Sequence, residues 1–367
     1  MFSEIFEKLD INEIKEKIYS SSKNQVLHTL ESENISSDNM HSLFSPSADE
    51  YIEMLAEKSF SITRKRFGNT IQLYAPLYLS NECSNNCLYC GFNIKNDIKR
   101  STLTRDEIEH EADSLFENGF RHILLLTGED MKAVSVDDLS ITVKSFKKRF
   151  SSISIEVFPM EIEEYSLLND SGVDGLTIYQ ETYNRETYAE VHAGGRKKDF
   201  NWRLNAPDRG GIAGFSKIGI GSLLGLSDWR IDGYLTALHA RYLSKKYWKS
   251  QIQISFPRIT ESAGNFKPPV KVSDRDLTHL ICSMRLLLPD SGLSLSTREP
   301  SELRNNLIPL GITQISAGSK TSPGGYTESE KAEEQFAVSD SRTPSEIETL
   351  IKTKGFDPVW KDWDSAI

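Results

Sequence analysis

Long hydrophobic runs are missing from this chain: no apolar stretch in its 367 residues approaches the length that crosses a bilayer, and those present are strand-sized. Basic charge is also in deficit. Against 53 Asp and Glu stand 43 Lys and Arg, and the formal net charge of −10 argues against a nucleic-acid footprint or an anionic membrane surface. Three short basic runs, Arg64-Lys65-Arg66, Lys147-Lys148-Arg149 and Arg196-Lys197-Lys198, therefore read as solvated faces rather than binding patches. Cysteine is scarce, at four residues. No signal peptide is visible and no set of disulfides is suggested, so reduced thiols and a cytoplasmic location are expected. The apolar share of 38% still supplies ample core.

What cysteine there is lies together. Cys83, Cys87 and Cys90 form a C-x3-C-x2-C cluster within the run Asn81–Phe92. Structural zinc wants four closed ligands, usually as C-x2-C pairs. The fourth cysteine, Cys282, sits far away in the apolar, helix-like run Leu277–Leu288, where a small core thiol is expected. Three thiolates hold three corners of a [4Fe–4S] cube and leave the fourth iron without a protein ligand. The ligand count thus favours an iron–sulfur site open to an exchangeable ligand.

Residues 1–70 are polar and helix-like. From about residue 71, short apolar runs alternate with amphipathic helices, the signature of parallel βαβ units. Eight strands are expected: Ile71–Leu79, His122–Thr127, Ser152–Phe158, Val173–Tyr179, Ile218–Ser222, Gln251–Phe256, Leu293–Thr297 and Gly311–Ser316. Between them, Thr104 with Glu107 forms a capping box, followed by Ile108, Ala112, Leu115 and Phe116 at helical spacing and closed by Gly119. Ser135 with Asp138, Ser227 before Asp228, and Ser273 with Asp276 start later helices. The fold class is α/β, a TIM-type (β/α)8 barrel over residues 71–320, with an N-terminal helical extension (1–70) and a C-terminal tail (321–367) packing on the barrel. That tail carries Gly324-Gly325, an acidic stretch and a final Trp360-Lys361-Asp362-Trp363-Asp364.

In such barrels the active site gathers at the C-terminal ends of the strands. Those ends are polar almost throughout: the cysteine loop, Thr127-Gly128-Glu129, Glu156 before Phe158-Pro159, Gln180-Glu181-Thr182-Tyr183, Gly219-Ile220-Gly221, Pro257-Arg258, Thr297-Arg298-Glu299 and Ser316-Ala317-Gly318-Ser319. A purely structural barrel does not need this, and the pattern points to an enzyme. A ligand of the open iron bearing an amine and a carboxylate needs acceptors for one and donors for the other. Glu129, reached through a glycine that permits close backbone approach, suits the amine. Gly219-x-Gly221 leaves room for a flat adenine, and Arg298 offers a planar fork for a carboxylate, the competing reading being a rim salt bridge.

The cysteine motif, with an aromatic residue (Tyr89) before its last cysteine, resembles that of the radical S-adenosylmethionine superfamily, and Thr127-Gly128-Glu129 resembles that superfamily's motif for the methionyl amine. Over about residues 50–367 the segments Tyr179–Asn184, Gly219-Ile220-Gly221 with Leu224-Gly225-Leu226, Ser296–Glu299, Ser316–Lys320 and the Trp-Lys-Asp-Trp-Asp tail together resemble the 2-iminoacetate synthase family, the tyrosine lyases of thiamine thiazole biosynthesis. The resemblance implies a [4Fe–4S] cluster on Cys83, Cys87 and Cys90, with S-adenosyl-L-methionine as co-substrate. It implies cleavage of the Cα–Cβ bond of L-tyrosine to 2-iminoacetate (dehydroglycine) and 4-methylphenol, with 5′-deoxyadenosine and methionine as co-products. By the same resemblance Glu129 holds the methionyl amine, Glu181 the ribose, Gly221 lies by the adenine, Arg203 (or the equally available Arg209) meets the methionyl carboxylate, and Arg298 and Ser316 clamp the tyrosine carboxylate.

A related enzyme that makes carbon monoxide and cyanide from tyrosine for hydrogenase maturation carries an extra C-terminal cluster domain. No cysteine follows Cys282 here, which disfavours that reading. A tryptophan-cleaving relative and a non-catalytic, metal-stabilised partner subunit also compete with the tyrosine lyase. The expected partners are thiazole synthase, which would receive the water-labile imine, and a flavodoxin or ferredoxin as electron donor.

Overall fold

A computed structural model of the chain describes residues 1–32, 35–259, 266–327 and 332–361. Eight parallel strands form a closed barrel: β1 (Thr70–Ser80), β2 (His122–Thr127), β3 (Ser152–Glu156), β4 (Gly175–Thr177), β5 (Lys217–Gly221), β6 (Gln251–Ser255), β7 (Gly292–Leu295) and β8 (Gln314–Ser316). Each pairs with the next in sequence, and Gln72 opposite Gln314 brings β8 back to β1. All eight strands expected from the sequence are present. β3, β4, β5, β6 and β7 end one to two residues before their apolar runs do, whereas β2 and β8 end where expected and β1 continues one residue further, to Ser80.

The outer layer follows from helix signals. Thr104–Glu107, Ser135–Asp138 and Ser273–Asp276 make the capping boxes of helices Arg105–Glu117, Val136–Phe146 and Asp274–Leu287. At the helix Trp229–Lys246 the cap is Asp228 itself, whose carboxylate accepts from the Arg230 N–H at 2.9 Å, and not Ser227. Helix residues Ile108, Ala112 and Leu115 bury against the strands. Along β3, Ile153 and Ile155 face this packed layer, while Ser152 and Ser154 border a cavity inside the barrel.

The first seventy residues are four α-helices with two short 3-10 turns between the third and fourth. Helix Ile52–Phe67 lies against Asp274–Leu287, and the Ser59 hydroxyl donates to the Leu310 carbonyl at 2.6 Å. Phe2 is fully buried, stacked on His239 at 3.9 Å, with its N–H donating to Asp208 at 2.8 Å. At the other end a ninth strand, β9 (Asp357–Val359), pairs in parallel with Thr70–Gln72, and Trp360 packs edge-on against Phe120. Asp362, Trp363 and Asp364 of the tail motif lie outside the described residues. Among the described residues no helix is long and apolar enough to cross a membrane.

Candidate active site

The loop after β1 is held largely by side chains. Arg100 donates to the carbonyls of Asn81, Phe92 and Asn93, the Asn93 amide to that of Cys87, and the Asn96 amide to those of Cys90 and Gly91. Asn86–Cys87 also pairs, antiparallel, with the short strand His192–Gly194. Gly128 fixes the loop against β2. A Cβ there would meet the Glu82 carbonyl oxygen at 2.1 Å, so the glycine serves the approach of the cysteine backbone. The next residue, Glu129, completes the seam: its carbonyl accepts from the Ser84 N–H (3.2 Å) and hydroxyl (2.8 Å), and its carboxylate from the Asn85 amide at 2.8 Å.

Cys83, Cys87 and Cys90 are free thiols lining one cavity. Burial pushes all three above the ordinary thiol range, so an anionic sulfur there needs a positive partner. Among the described residues no three His, Cys, Asp or Glu side chains form a set suited to a single metal ion. A cube spreads its thiolates over three separate irons and needs no such convergence. The donor set therefore fits a cluster with an open corner. Tyr89, between the last two cysteines, meets His192 edge-on, with hydroxyl and Nε2 2.8 Å apart. Burial and Lys197 press His192 down to about 3, so the ring is neutral. Nδ1 lies 2.8 Å from the Tyr188 carbonyl and donates to it, leaving Nε2 to accept from Tyr89.

Opposite the cysteines stands a buried charge network. Arg203 donates to Glu129 (2.8 Å), to Glu181 (3.4 Å) and to the Tyr179 carbonyl (2.6 Å), and Lys197 reaches Glu181 at 2.7 Å. Burial raises the Glu181 carboxyl, but Lys197 and Arg203 outweigh it and hold the group below its ordinary range. Glu181 adopts φ +71°, a left-handed conformation that costs a non-glycine residue on the order of 1–3 kcal/mol. Its bridge to Ser222, together with Asp232 accepting from Thr182 and the Tyr183 N–H, keeps it there. Arg209, by contrast, stacks on Trp202 and donates to the Met160 carbonyl, leaving Arg203 as the arginine of this network.

A second chamber continues into the barrel, sharing Leu126, Glu156, Tyr179, Pro257, Arg298 and Phe336 with the first. Arg298 lies at the seam. It makes no ion pair among the described residues, and its guanidinium sits over the Phe336 ring at 3.3 Å, while neighbouring Glu299 is taken by Arg258. Among the described residues no rim salt bridge holds Arg298. Ser316 opens into this second chamber with a buried hydroxyl that has no hydrogen-bond partner among the described residues. Its carbonyl accepts from Arg304, which is buried with Asp340.

The structure therefore brings Cys83, Cys87, Cys90, Glu129, Glu181 and Arg203 to one chamber and Arg298 and Ser316 to its inner continuation. Gly221 lines neither. A Cβ on it would meet the Ser255 carbonyl oxygen at 2.5 Å, so strand packing already requires the glycine. Lys197 corrects the sequence reading. Arg196 and Lys198 are exposed as a solvated face should be, but Lys197 turns inward, its side chain 12% exposed. Glu156, singled out only by its strand, faces both chambers.

Comparison with known proteins agrees with this arrangement. Residues 77–238 match the model of the Radical SAM superfamily, and residues 255–357 that of the Biotin and Thiamin Synthesis associated domain. The chain is 44% identical to 2-iminoacetate synthase of Escherichia coli (strain K12) over 367 residues, covering 100% of this chain and 97% of that one. It is 43% identical over 365 residues to 2-iminoacetate synthase of Salmonella typhimurium, covering 99% and 97%. The crystal structure of HydG, a maturase of the [FeFe]-hydrogenase, superimposes with a TM-score of 0.90 at 31% identity, over 96% of this chain and 79% of that one. With cysteine loop, charge network and near full-length identity in agreement, the chain belongs to the 2-iminoacetate synthase family of radical S-adenosylmethionine enzymes.

Proposed function

We propose that this chain cleaves the Cα–Cβ bond of L-tyrosine, giving 2-iminoacetate and 4-methylphenol with 5′-deoxyadenosine and methionine, and so serves formation of the thiazole of thiamine. The observation that carries the reading is the pair of joined chambers, one lined by three free thiols, with an arginine at their seam that makes no ion pair among the described residues. Cys83, Cys87 and Cys90 would hold a [4Fe–4S] cluster, which with S-adenosyl-L-methionine would supply a 5′-deoxyadenosyl radical for hydrogen abstraction from the substrate amino group. The chain's own residues do the rest.

Glu129 accepts from the methionyl ammonium and Arg203 donates to the methionyl carboxylate, the two already oriented by their own 2.8 Å contact. Glu181, fixed by Lys197, accepts from ribose hydroxyls. Leu223, at the cavity wall two residues past Gly221, borders the adenine. Arg298 grips the tyrosine carboxylate through its fork, and the Ser316 hydroxyl donates a further bond to it. Two anchors, one in the loop after β7 and one at the end of β8, fix the substrate carboxylate, and such positioning selects which hydrogen meets the radical. The barrel wall around the inner chamber keeps water and stray C–H groups away.

The imine product hydrolyses in water, so direct transfer to thiazole synthase is its expected fate, with a flavodoxin or ferredoxin as electron donor and the cytoplasm as location. The test is an anaerobic assay of iron-reconstituted protein with dithionite, S-adenosyl-L-methionine and L-tyrosine. Joint appearance of 5′-deoxyadenosine and 4-methylphenol is expected. 5′-Deoxyadenosine alone would sink the tyrosine assignment, and neither product from protein with a full cluster would sink the radical reaction.

A further inference from the structure

Glu156 is the last residue of β3 and follows Ser152 and Ser154 on the inward face of the strand. It is the sole carboxylate among the described residues of the inner chamber and also lines the chamber of the cysteines. Glu129 and Glu181 are engaged by Asn85, Arg203 and Lys197. The Glu156 carboxylate, in contrast, accepts no hydrogen bond and joins no ion pair among the described residues. Glu156 is half-buried, facing a cavity; a carboxylate so enclosed without a partner is costly, and its presence there marks a place where a ligand supplies one.

The ligand's charge pattern names that partner. An α-amino acid carries its ammonium one carbon from its carboxylate. With the carboxylate on Arg298, the ammonium lies at the same seam, where Glu156 is the acceptor not already taken. The ammonium must also lose a proton. Removing a hydrogen atom from –NH3+ leaves a radical with no lone pair to stabilise it, whereas removing one from –NH2 does not.

Resting on the tyrosine-lyase reading above, we propose that Glu156 is a catalytic residue: its carboxylate binds the α-ammonium of tyrosine and takes one proton from it. The step is R–NH3+ plus carboxylate giving R–NH2 plus carboxylic acid, with no change in electron count. The surroundings suit the transfer. Burial and the Glu181 charge raise the Glu156 carboxyl to about 7, against the pull of Arg298, Arg203 and Lys197, making it a better base than an ordinary carboxylate. The same three cations disfavour the ammonium form of the bound substrate. The remaining titratable neighbours, Tyr74, Tyr78 and Tyr179, are raised by burial and stay neutral.

The test compares wild type, Glu156→Gln and Glu156→Asp as anaerobic, cluster-loaded protein, with folding checked by melting temperature and iron content. Binding of L-tyrosine and of 3-(4-hydroxyphenyl)propanoate, which lacks the amine, is measured by equilibrium dialysis with S-adenosyl-L-methionine and no reductant. Wild type is expected to prefer tyrosine about 10- to 100-fold, and Glu156→Gln to lose most of that preference. Turnover to 4-methylphenol is expected to fall about 10²- to 10⁴-fold in Glu156→Gln and to recover in part in Glu156→Asp. In wild type, kcat/KM should rise with pH through the neutral region, and Glu156→Gln should lack that rise. If wild type forms 4-methylphenol while Glu156→Gln keeps both preference and rate, the role of Glu156 is overturned and the tyrosine reading stands. If wild type forms none, the tyrosine reading fails first and takes this inference with it.

Discussion

Replacing Gly128 with alanine places a methyl carbon 2.1 Å from the Glu82 carbonyl oxygen, 2.7 Å from its carbon and 3.1 Å from Cβ of Cys83. The first two atoms are backbone, which cannot swing aside as the tip of a long side chain does. The backbone on both sides is also tied. The Gly128 N–H donates to the Ser80 carbonyl at 2.9 Å, and Ser84 holds the Glu129 carbonyl through two bonds. Relief therefore requires the cysteine loop to move away from β2. Overpacking of this kind costs about 1–3 kcal/mol, which converts to about a 5- to 150-fold loss of the arrangement that gathers the three thiols. The assay is anaerobic reconstitution at limiting iron, followed by iron and sulfide per chain and by the change in the reduced-cluster EPR spectrum on adding S-adenosyl-L-methionine. Gly128→Ala should load iron poorly and need a higher S-adenosyl-L-methionine concentration for the spectral change. Wild-type loading together with a wild-type concentration dependence would show that the close approach is not required, and the argument would fall.

Arg203→Met strips Glu129 and Glu181 of their shared cation, and a broken buried ion pair costs about 3–5 kcal/mol, so the urea midpoint should drop along with S-adenosyl-L-methionine affinity. Cys282 is buried, its thiol pushed up to about 12 by desolvation. Cys282→Ala should leave iron content unchanged, whereas alanine at Cys83, Cys87 or Cys90 abolishes loading, and alkylation of folded protein should spare Cys282. Asp340 is buried between Arg304 and Arg342. Burial raises its carboxyl, but the two arginines outweigh that and hold it below its ordinary range. A carboxyl lowered on folding contributes stability above its unfolded value near ~3.9 and loses it as pH falls through the folded value. The gap in melting temperature between wild type and Asp340→Asn should therefore be wide at pH 6 and shrink as pH falls below about 4.

The barrel was legible because its signals are local. Leu73, Ala75 and Leu77 on β1, or Ile153 and Ile155 on β3, must be apolar whatever lies elsewhere, since helices cover them. Capping boxes are four-residue events and read as easily, although at Ser227-Asp228 the sequence offered two caps and the structure uses the second. The cysteines were legible for the same reason: three ligands within eight residues announce one site. The strand Asn86–Cys87 with His192–Gly194 was not, because pieces of two and three residues have no period to read.

Lys197 shows where such reading stops. In sequence it is the middle of three basic residues in an acidic chain, and its neighbours on both sides behave as that composition dictates. What turns it inward is distant: its own N–H donates to the Asn85 side chain 112 residues away, and Gly195 at φ +82° lets the backbone press against Asn85, where a Cβ would lie 2.1 Å from Oδ1. Asn85 at the same time donates to Glu129. One asparagine of the cysteine loop thus positions the carboxylate of one strand end and the ammonium that pairs with Glu181 at another. Burial and Arg203 pull that ammonium down, and the Glu181 and Glu129 carboxylates outweigh them, so it stays charged. A charge buried this way is retained only if its partners arrive with it. The thiol loop and the acidic network are consequently one assembly, and a change at Asn85 should disturb both together.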